Sequence, residues 1–129
     1  MTTLTRQEAR AAVRIELGWP SSDLSPNARG HWSKRSRASK AARLEAKAET
    51  LRSGIGRYED GTPIKLTTKF HPPARYGYDK DGLLSRMKPF FDGISDAIGV
   101  DDKHFSHGEP TIGPIIKGGR VVVDIEAMP

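Results

Sequence analysis

Two short acidic clusters lie in the second half of an otherwise basic chain. The first is Asp79-Lys80-Asp81, the second is Asp101-Asp102, and Lys88 falls between them. Carboxylate oxygens are the ligands that magnesium prefers, usually one or two from the protein together with waters and substrate phosphates. Positive charge around such a site suits a polyanion such as nucleic acid. The pattern therefore predicts a metal-dependent nuclease.

The spacing within the first cluster bears on whether it could bind one cation. In an extended segment, residues two apart point to the same side, so we expect Asp79 and Asp81 to reach one metal ion. Asp102 can join them only if the strand that follows the second helix brings it alongside. The alternative is that the first cluster is a polar turn and the second a surface loop, and spacing leaves both interpretations open. An EF-hand is a poor alternative. Its loop needs Gly at the sixth position and Glu at the twelfth, and in a loop that starts at Asp79 these positions hold Leu84 and Phe90.

Lys88 and a few aromatic residues are further candidates. Beside a metal-bound phosphate, Lys88 could offset the charge that develops in the transition state, although a surface lysine is the ordinary alternative. His104 and His107 are three apart in a predicted strand and fall on opposite faces, so we interpret them as surface histidines and not as ligands. Trp19 and Trp32 could stack on unpaired bases, with packing in the core as the alternative.

Length and composition limit the class of protein. The 129 residues suit one domain, with residues 1–11 as a flexible or short helical lead-in. There are 21 Lys and Arg against 16 Asp and Glu, for a net charge of +5, which favours nucleic acid or an anionic surface as partner. The absence of cysteine excludes disulfides and thiolate metal sites. With no long apolar run and no apolar N-terminal signal core, we expect a cytoplasmic protein without membrane contact.

A basic segment precedes the acidic clusters. Residues 29–52 hold eight Lys and Arg but only two Glu. A solvated helix face is one interpretation of such a segment. Its first part has no acidic neighbour along the chain, which favours contacts with DNA phosphates. The residues that we expect to contact DNA are Arg29, Lys34, Arg35, Arg37, Arg75, Lys117 and Arg120.

The hydrophobic pattern predicts an α/β (α+β) fold with the order strand, helix, strand, helix, strand, strand. We expect a mixed sheet of about four strands with two main helices packed on it. The predicted strands are Ala12–Gly18, Pro63–His71, Lys103–Ile116 and Arg120–Glu126, and the predicted helices are Lys34–Ser53 and Leu83–Ile98.

Several local features of these elements are also predicted. Ser33 is the expected N-cap of the first helix, and the expected inward stripe of that helix is Ala41, Leu44, Ala48 and Leu51. The second helix should kink at Pro89 or begin there, and end at Gly99. Its expected inward stripe is Phe91, Ile94 and Ile98. The turn Lys117-Gly118-Gly119-Arg120 predicts that the last two strands form an antiparallel pair.

Taken together, these residues resemble the RusA family of Holliday junction resolvases, particularly its phage-encoded members. The similarity runs from about Arg14 to Met128. The matching pieces are the Trp19-Pro20 turn with Asn27, the basic helix, Asp79-Lys80-Asp81-Gly82, Lys88 before Phe91-Asp92-Gly93-Ile94, Asp101-Asp102, and the turn and strand from Lys117 to Glu126. No single piece is specific, but their order is. Gly82 stands where the family has Asn, and Lys88 follows Asp81 by seven residues, more than in the shortest members.

The resemblance implies a homodimer that binds four-way DNA junctions and resolves them by paired nicks in recombination and repair. It implies Mg²⁺ as cofactor, with Mn²⁺ as a substitute, and the host cytoplasm as location if the protein is phage-encoded. Asp79, Asp81 and Asp102 would be the metal carboxylates, Asp101 an auxiliary ligand and Lys88 the catalytic lysine. The alternatives are a non-catalytic basic DNA-binding module and a nuclease that prefers forks or flaps.

Overall fold

A mixed β-sheet carries the helices that frame the acidic clusters. The computed structural model describes residues 3–4, 12–25, 30, 32–75 and 77–128. Its strands are β1 (Thr3–Leu4), β2 (Val13–Leu17), β3 (Arg57–Tyr58), β4 (Ile64–His71), β5 (Phe105–His107), β6 (Thr111–Ile112) and β7 (Arg120–Ala127), and its helices are α1 (Trp32–Arg52), α2 (Lys80–Ser85) and α3 (Lys88–Ile98). The predicted mixed α/β fold with two main helices is confirmed. The predicted lead-in lies almost wholly outside the described residues.

Among the residues that the structure describes, the main sheet has five strands instead of about four. Its order is β2-β7-β4-β5, and β6 pairs with the same edge of β4 as β5, further along that strand. Strands β1 and β3 form a separate parallel pair. Ile64, Leu66, Thr68 and Phe70 alternate along β4 and share one face of it, and all four are buried. Alternation along β4 therefore identified the face that packs against the helices.

The prediction that the last two strands form an antiparallel pair is wrong. The turn is present, and Gly118 and Gly119 have φ of 80° and 77°. However, β5 and β6 pair in parallel with β4, and β7 runs antiparallel between β2 and β4. Strand β7 buries Val121, Val122 and Val123 in succession. Apolar side chains on both faces suit a central strand, whereas the short β5 and β6 are suited to an edge.

Helix α1 buries a different face from the predicted one. Ser33 lies inside the helix, which begins at Trp32, so its prediction as N-cap is wrong. Leu44 and Leu51 are 67% and 43% exposed. Ala41 and Ala48 are exposed as well, and the buried residues of the helix are Ala42, Ala46 and Thr50.

The close approach of α3 explains why small residues of α1 face inward. A Cβ added to Gly93 would lie 2.2 Å from the Arg43 carbonyl oxygen and 3.0 Å from the Ala46 Cβ. At the edge of this contact, the Arg43 guanidinium donates to both carboxylate oxygens of Asp96, at 2.6 and 2.8 Å. The two helices therefore lie so close together that a larger side chain at Gly93 or Ala46 would not fit between them.

The segment after β4 forms two helices that meet near Pro89. Helix α3 begins at Lys88, with Pro89 in its first turn, and ends at Gly99 with φ of 75°. Of the two predicted alternatives, the new helix start is therefore the correct one. The predicted inward residues Phe91, Ile94 and Ile98 are buried. This start makes Lys88 the first residue of α3.

The two tryptophans lie in different surroundings. Trp19 packs edge-on against Phe70 and Tyr78, with ring centroids 6.1 and 5.4 Å apart, so its role is packing. Trp32 is 74% exposed.

None of the helices in the described part of the chain is both long and apolar enough to cross a bilayer.

Candidate active site

Lys88 joins two carboxylates from different parts of the chain. Its ammonium donates to Asp92 Oδ1 at 2.6 Å and also to Asp102 Oδ2. Asp92 lies one helical turn further along α3, the spacing at which side chains on a helix meet. Asp102 belongs to a single 3₁₀ turn, Asp102–His104, that follows α3. The turn after the helix therefore brings the second acidic cluster to Lys88.

These contacts fix the charge states of the groups involved. The hydrogen bond from Lys88 lowers the pKa of Asp102, and hydrogen bonds to Asp102 and Asp92 raise the pKa of Lys88. Asp102 is thus ionised, and Lys88 protonated, throughout the neutral range. A lysine held in its charged form can stabilise negative charge but cannot serve as a general base.

Stability alone does not account for this ion-pair cluster. The side chains of Lys88 and Asp102 are 63% and 39% exposed. Exposed ion pairs of this kind contribute about 0–1 kcal/mol to the free energy of unfolding. The cluster is open to solvent, so a ligand can reach it.

Asp79 and Asp81 do not lie in an extended segment, so that part of the prediction is wrong. Helix α2 begins directly after Asp79, whose carboxylate caps it by accepting the Asp81 N–H at 3.2 Å. Asp81 lines a cavity together with Lys88, whereas Asp79 lines a neighbouring one together with Arg86.

Gly82 packs directly against the capping carboxylate. A Cβ at this position would lie 3.2 Å from Asp79 Oδ2. The absence of a side chain at Gly82 therefore leaves room for the Asp79 carboxylate to cap α2.

The three predicted metal carboxylates are not assembled into one ligand group. Within the described ranges, no three His, Asp or Glu side chains come close enough together to hold a metal ion. Asp101, the predicted auxiliary ligand, caps the 3₁₀ turn by accepting the Lys103 N–H at 3.0 Å. Magnesium needs only one or two protein carboxylates, which Asp81 and Asp102 could supply. The donor chemistry fits magnesium, and the magnesium site stays a prediction.

The cavity beside Lys88 has a volume of about 390 Å³. Its lining residues are Asp81, Leu84, Ser85, Lys88, Phe91 and His107. The His107 ring stands against the Phe91 ring, with centroids 4.7 Å apart and planes tilted by 38°. Removal from water at this position lowers the pKa of His107. A charged group and an aromatic wall thus share one opening.

The basic helix reaches the other side of Lys88. Arg35 lines a second cavity, of about 160 Å³, together with Lys88 and Asp92. Lys34 and Arg37 are exposed, and within the described ranges neither they nor Arg35 form an ion pair with a carboxylate. The start of α1 therefore presents uncompensated positive charge next to the candidate site.

The other predicted DNA contacts are more scattered. Arg75 and Lys117 are exposed, and Arg120 pairs with Glu16 at 3.0 Å. Arg29 lies outside the described residues. Arg120 is thus partly neutralised, and the start of α1 is the stronger candidate for phosphate contacts.

Comparison with known proteins finds a clear relative. A protein of Xylella fastidiosa strain Temecula1, described as an uncharacterized protein, is 45% identical over 116 residues, which cover 86% of this chain and 74% of the relative. The chain belongs to the family of this Xylella protein. No family model matches the sequence. The Xylella relative supplies no activity, so the function of the family has to be inferred from the site.

Two site residues of this Xylella-family chain were missed by sequence reasoning. Asp92 carried a signal, since it follows Lys88 by four residues in a predicted helix. His107 carried none. It reaches the cavity because β5 pairs in parallel with β4, where His107 lies opposite Leu66, and that pairing contradicts the predicted hairpin.

Proposed function

We propose that this protein is a metal-dependent endonuclease that nicks branched DNA, with four-way junctions as its main substrate, in recombination and repair. The observation that supports this most is the contact between Lys88 and Asp102. It links the second acidic cluster to the cavity that Asp81 lines. Arg35, on the far side of Lys88, adds positive charge where a flanking phosphate would lie.

Each group at the site has a separate role in this proposal. Lys88 places a permanent positive charge beside the scissile phosphate and stabilises the charge that develops there. Asp92 holds the ammonium in position. Asp81 and Asp102 would hold Mg²⁺, or Mn²⁺ in its place, which when bound would activate a water and polarise the phosphate. Lys34, Arg35 and Arg37 would bind flanking phosphates.

A homodimer fits the proposed substrate. Two copies related by a twofold axis would present two equivalent sites. A four-way junction offers two equivalent strands, so paired nicks would follow from this symmetry. We place this activity in the cytoplasm, where a phage-encoded nuclease would meet the host DNA.

A non-catalytic DNA-binding module is the second candidate. It is favoured by the lack of a three-carboxylate group in the described part of the chain. The basic start of α1 would serve it equally well. The two candidates differ in whether DNA is cut.

The test is cleavage of end-labelled four-way junctions, forks, flaps and linear duplex, with Mg²⁺ or with EDTA. We expect nicks in opposed strands of the junction with Mg²⁺ and none with EDTA. Faster cleavage of forks or flaps would identify these as the preferred substrate and would still support a nuclease. Tight binding without any cleavage, with either Mg²⁺ or Mn²⁺, would show a binding module.

The basic start of α1 should control the salt dependence of binding. The slope of log K for DNA binding against log salt is negative. Replacing Lys34, Arg35 and Arg37 together by Ala should make it less steep, by about 0.9 for each phosphate that the variant no longer neutralises. Junction binding in EDTA, measured over a series of salt concentrations, gives that slope. Arg52→Ala is the matched control, because Arg52 lies at the other end of α1 and already pairs with Glu49 at 2.9 Å. An unchanged slope in the triple variant would contradict this assignment.

A further inference from the structure

We propose that the cavity beside Lys88 holds an unpaired nucleobase next to the scissile phosphate, stacked on the imidazole ring of His107. This inference rests on the proposed function, which places the phosphate at Lys88. It adds a substrate-binding residue and a structural preference that the acidic clusters do not provide.

The lining of the cavity divides into two chemical parts. Leu84, Phe91 and His107 supply an apolar and aromatic wall, and Asp81 and Lys88 supply charge. A nucleotide has the same division, with a flat base on one side of the sugar and a phosphate on the other. The volume of about 390 Å³ falls in the range of ligand pockets, roughly 300–1,000 Å³.

His107 is built to present a flat surface. One side of its ring is backed by Phe91, which is only 6% exposed, with the ring centroids 4.7 Å apart. His107 as a whole residue is exposed, so part of its surface stays accessible to a ligand. Its backbone is fixed by the pairing of β5 with β4. The lowered pKa of His107 keeps the ring neutral above mildly acidic pH, which removes a charge that would otherwise have to be desolvated.

An unpaired base is the occupant that this chemistry favours. Every base has a π-face that can stack on an aromatic side chain, so such a site is tolerant of sequence. A paired base inside a duplex is already stacked on both sides and cannot enter. A branch point exposes bases that are not fully stacked, and Lys88 would attract the phosphate of the same nucleotide. The pocket would therefore favour branched over linear DNA.

The test combines a change in the DNA with a change in the protein. An abasic nucleotide is placed in turn at each position around the branch point, and junction binding is measured in EDTA with wild type, His107→Ala and His107→Phe. At one position, the abasic site should weaken wild-type binding by about tenfold, because it removes one stacked base. His107→Ala should bind the intact junction as weakly as wild type binds the abasic one, and the abasic site should not weaken its binding further. His107→Phe keeps a ring and should behave as wild type.

His104→Ala is the matched control, because His104 lies in the same segment but does not line the cavity; it should leave binding unchanged. Since binding is read in EDTA, the outcome does not depend on cleavage. If the abasic site and His107→Ala act as expected but Mg²⁺ gives no nicks, the pocket stands and the nuclease proposal fails. If wild type is indifferent to every abasic position, or His107→Phe binds as weakly as His107→Ala, the pocket is overturned whether or not the protein cuts. The abasic arm uses the wild-type protein, so misfolding of a variant cannot hide the result.

Discussion

Replacing Lys88 by Met is expected to slow nicking of a four-way junction by a factor of roughly 100 to 1,000, the usual cost of removing one group that stabilises transition-state charge. Methionine keeps most of the length of the side chain but removes its charge. The fold should be unaffected, because the ion pairs of Lys88 are exposed and contribute about 0–1 kcal/mol to stability. The measurement is the single-turnover rate of nicking at saturating protein and Mg²⁺.

The pH dependence of this variant separates two roles for Lys88. The pKa of Lys88 is raised above its ordinary value of 10.5 by its bonds to Asp102 and Asp92, so its charge is present at lower pH and is lost only in strongly alkaline solution. Any change in the nicking rate between neutral and mildly alkaline pH must then come from another group. The pH midpoint of that change should be the same in Lys88→Met as in wild type. A midpoint that disappears with Lys88 would identify it as a general base and contradict the proposed role. Lys88→Arg keeps the charge and should retain more activity than Lys88→Met.

Replacing Gly93 by Ala is expected to lower the free energy of unfolding by roughly 1–2 kcal/mol. Alanine favours a helix over glycine by about 1 kcal/mol, which acts in the opposite direction. However, the new Cβ would lie 2.2 Å from the Arg43 carbonyl oxygen. Backbone atoms cannot rotate away, so α1 and α3 must move apart, and overpacking of this kind costs roughly 1–3 kcal/mol, occasionally more. Urea unfolding followed by circular dichroism measures the difference.

Gly77→Ala is the control for this change. Gly77 has no other atom within 4 Å of an added Cβ and lies outside the helices. Its replacement should leave the unfolding midpoint nearly unchanged. If Gly93→Ala is as stable as wild type, the close contact of α1 with α3 is wrong, and with it the placement of Arg35 beside Lys88.

Strand and helix positions followed from the sequence where a single face is buried. Alternation along β4 identified Ile64, Leu66, Thr68 and Phe70 as the buried set, and all of them are. The end of α3 was predictable because Gly99 adopts a left-handed backbone conformation that few other residues tolerate. These features depend on local geometry, which a sequence encodes directly.

Features that depend on contact between distant elements were not predictable. Helix α1 has leucines at helical spacing, yet it buries Ala42 and Ala46 because its partner helix carries Gly93 at the contact. The periodicity of one helix gives no information about the shape of the other. The same limit applies to β7, whose central place in the sheet depends on pairing with β2 and β4.

The candidate site shows both situations. Residue types and order pointed to Lys88 and Asp102, and the 3₁₀ turn after α3 brings them into contact. We expected the side chains of Asp79 and Asp81 to point to the same side, but α2 begins directly after Asp79, and the Asp79 carboxylate caps that helix. Asp92 could have been found from its helical spacing to Lys88. His107 needed the parallel pairing of β5, which nothing in its own segment indicates.

We propose that the carboxylates around Lys88 support metal-dependent cleavage. This proposal is tested most directly by strand-resolved nicking of a labelled four-way junction with Mg²⁺, comparing wild type with Asp102→Asn. We expect paired nicks from wild type and none from the variant, although both bind the junction equally in EDTA. Normal cutting by Asp102→Asn, or no cutting by wild type with any divalent cation, would contradict the account.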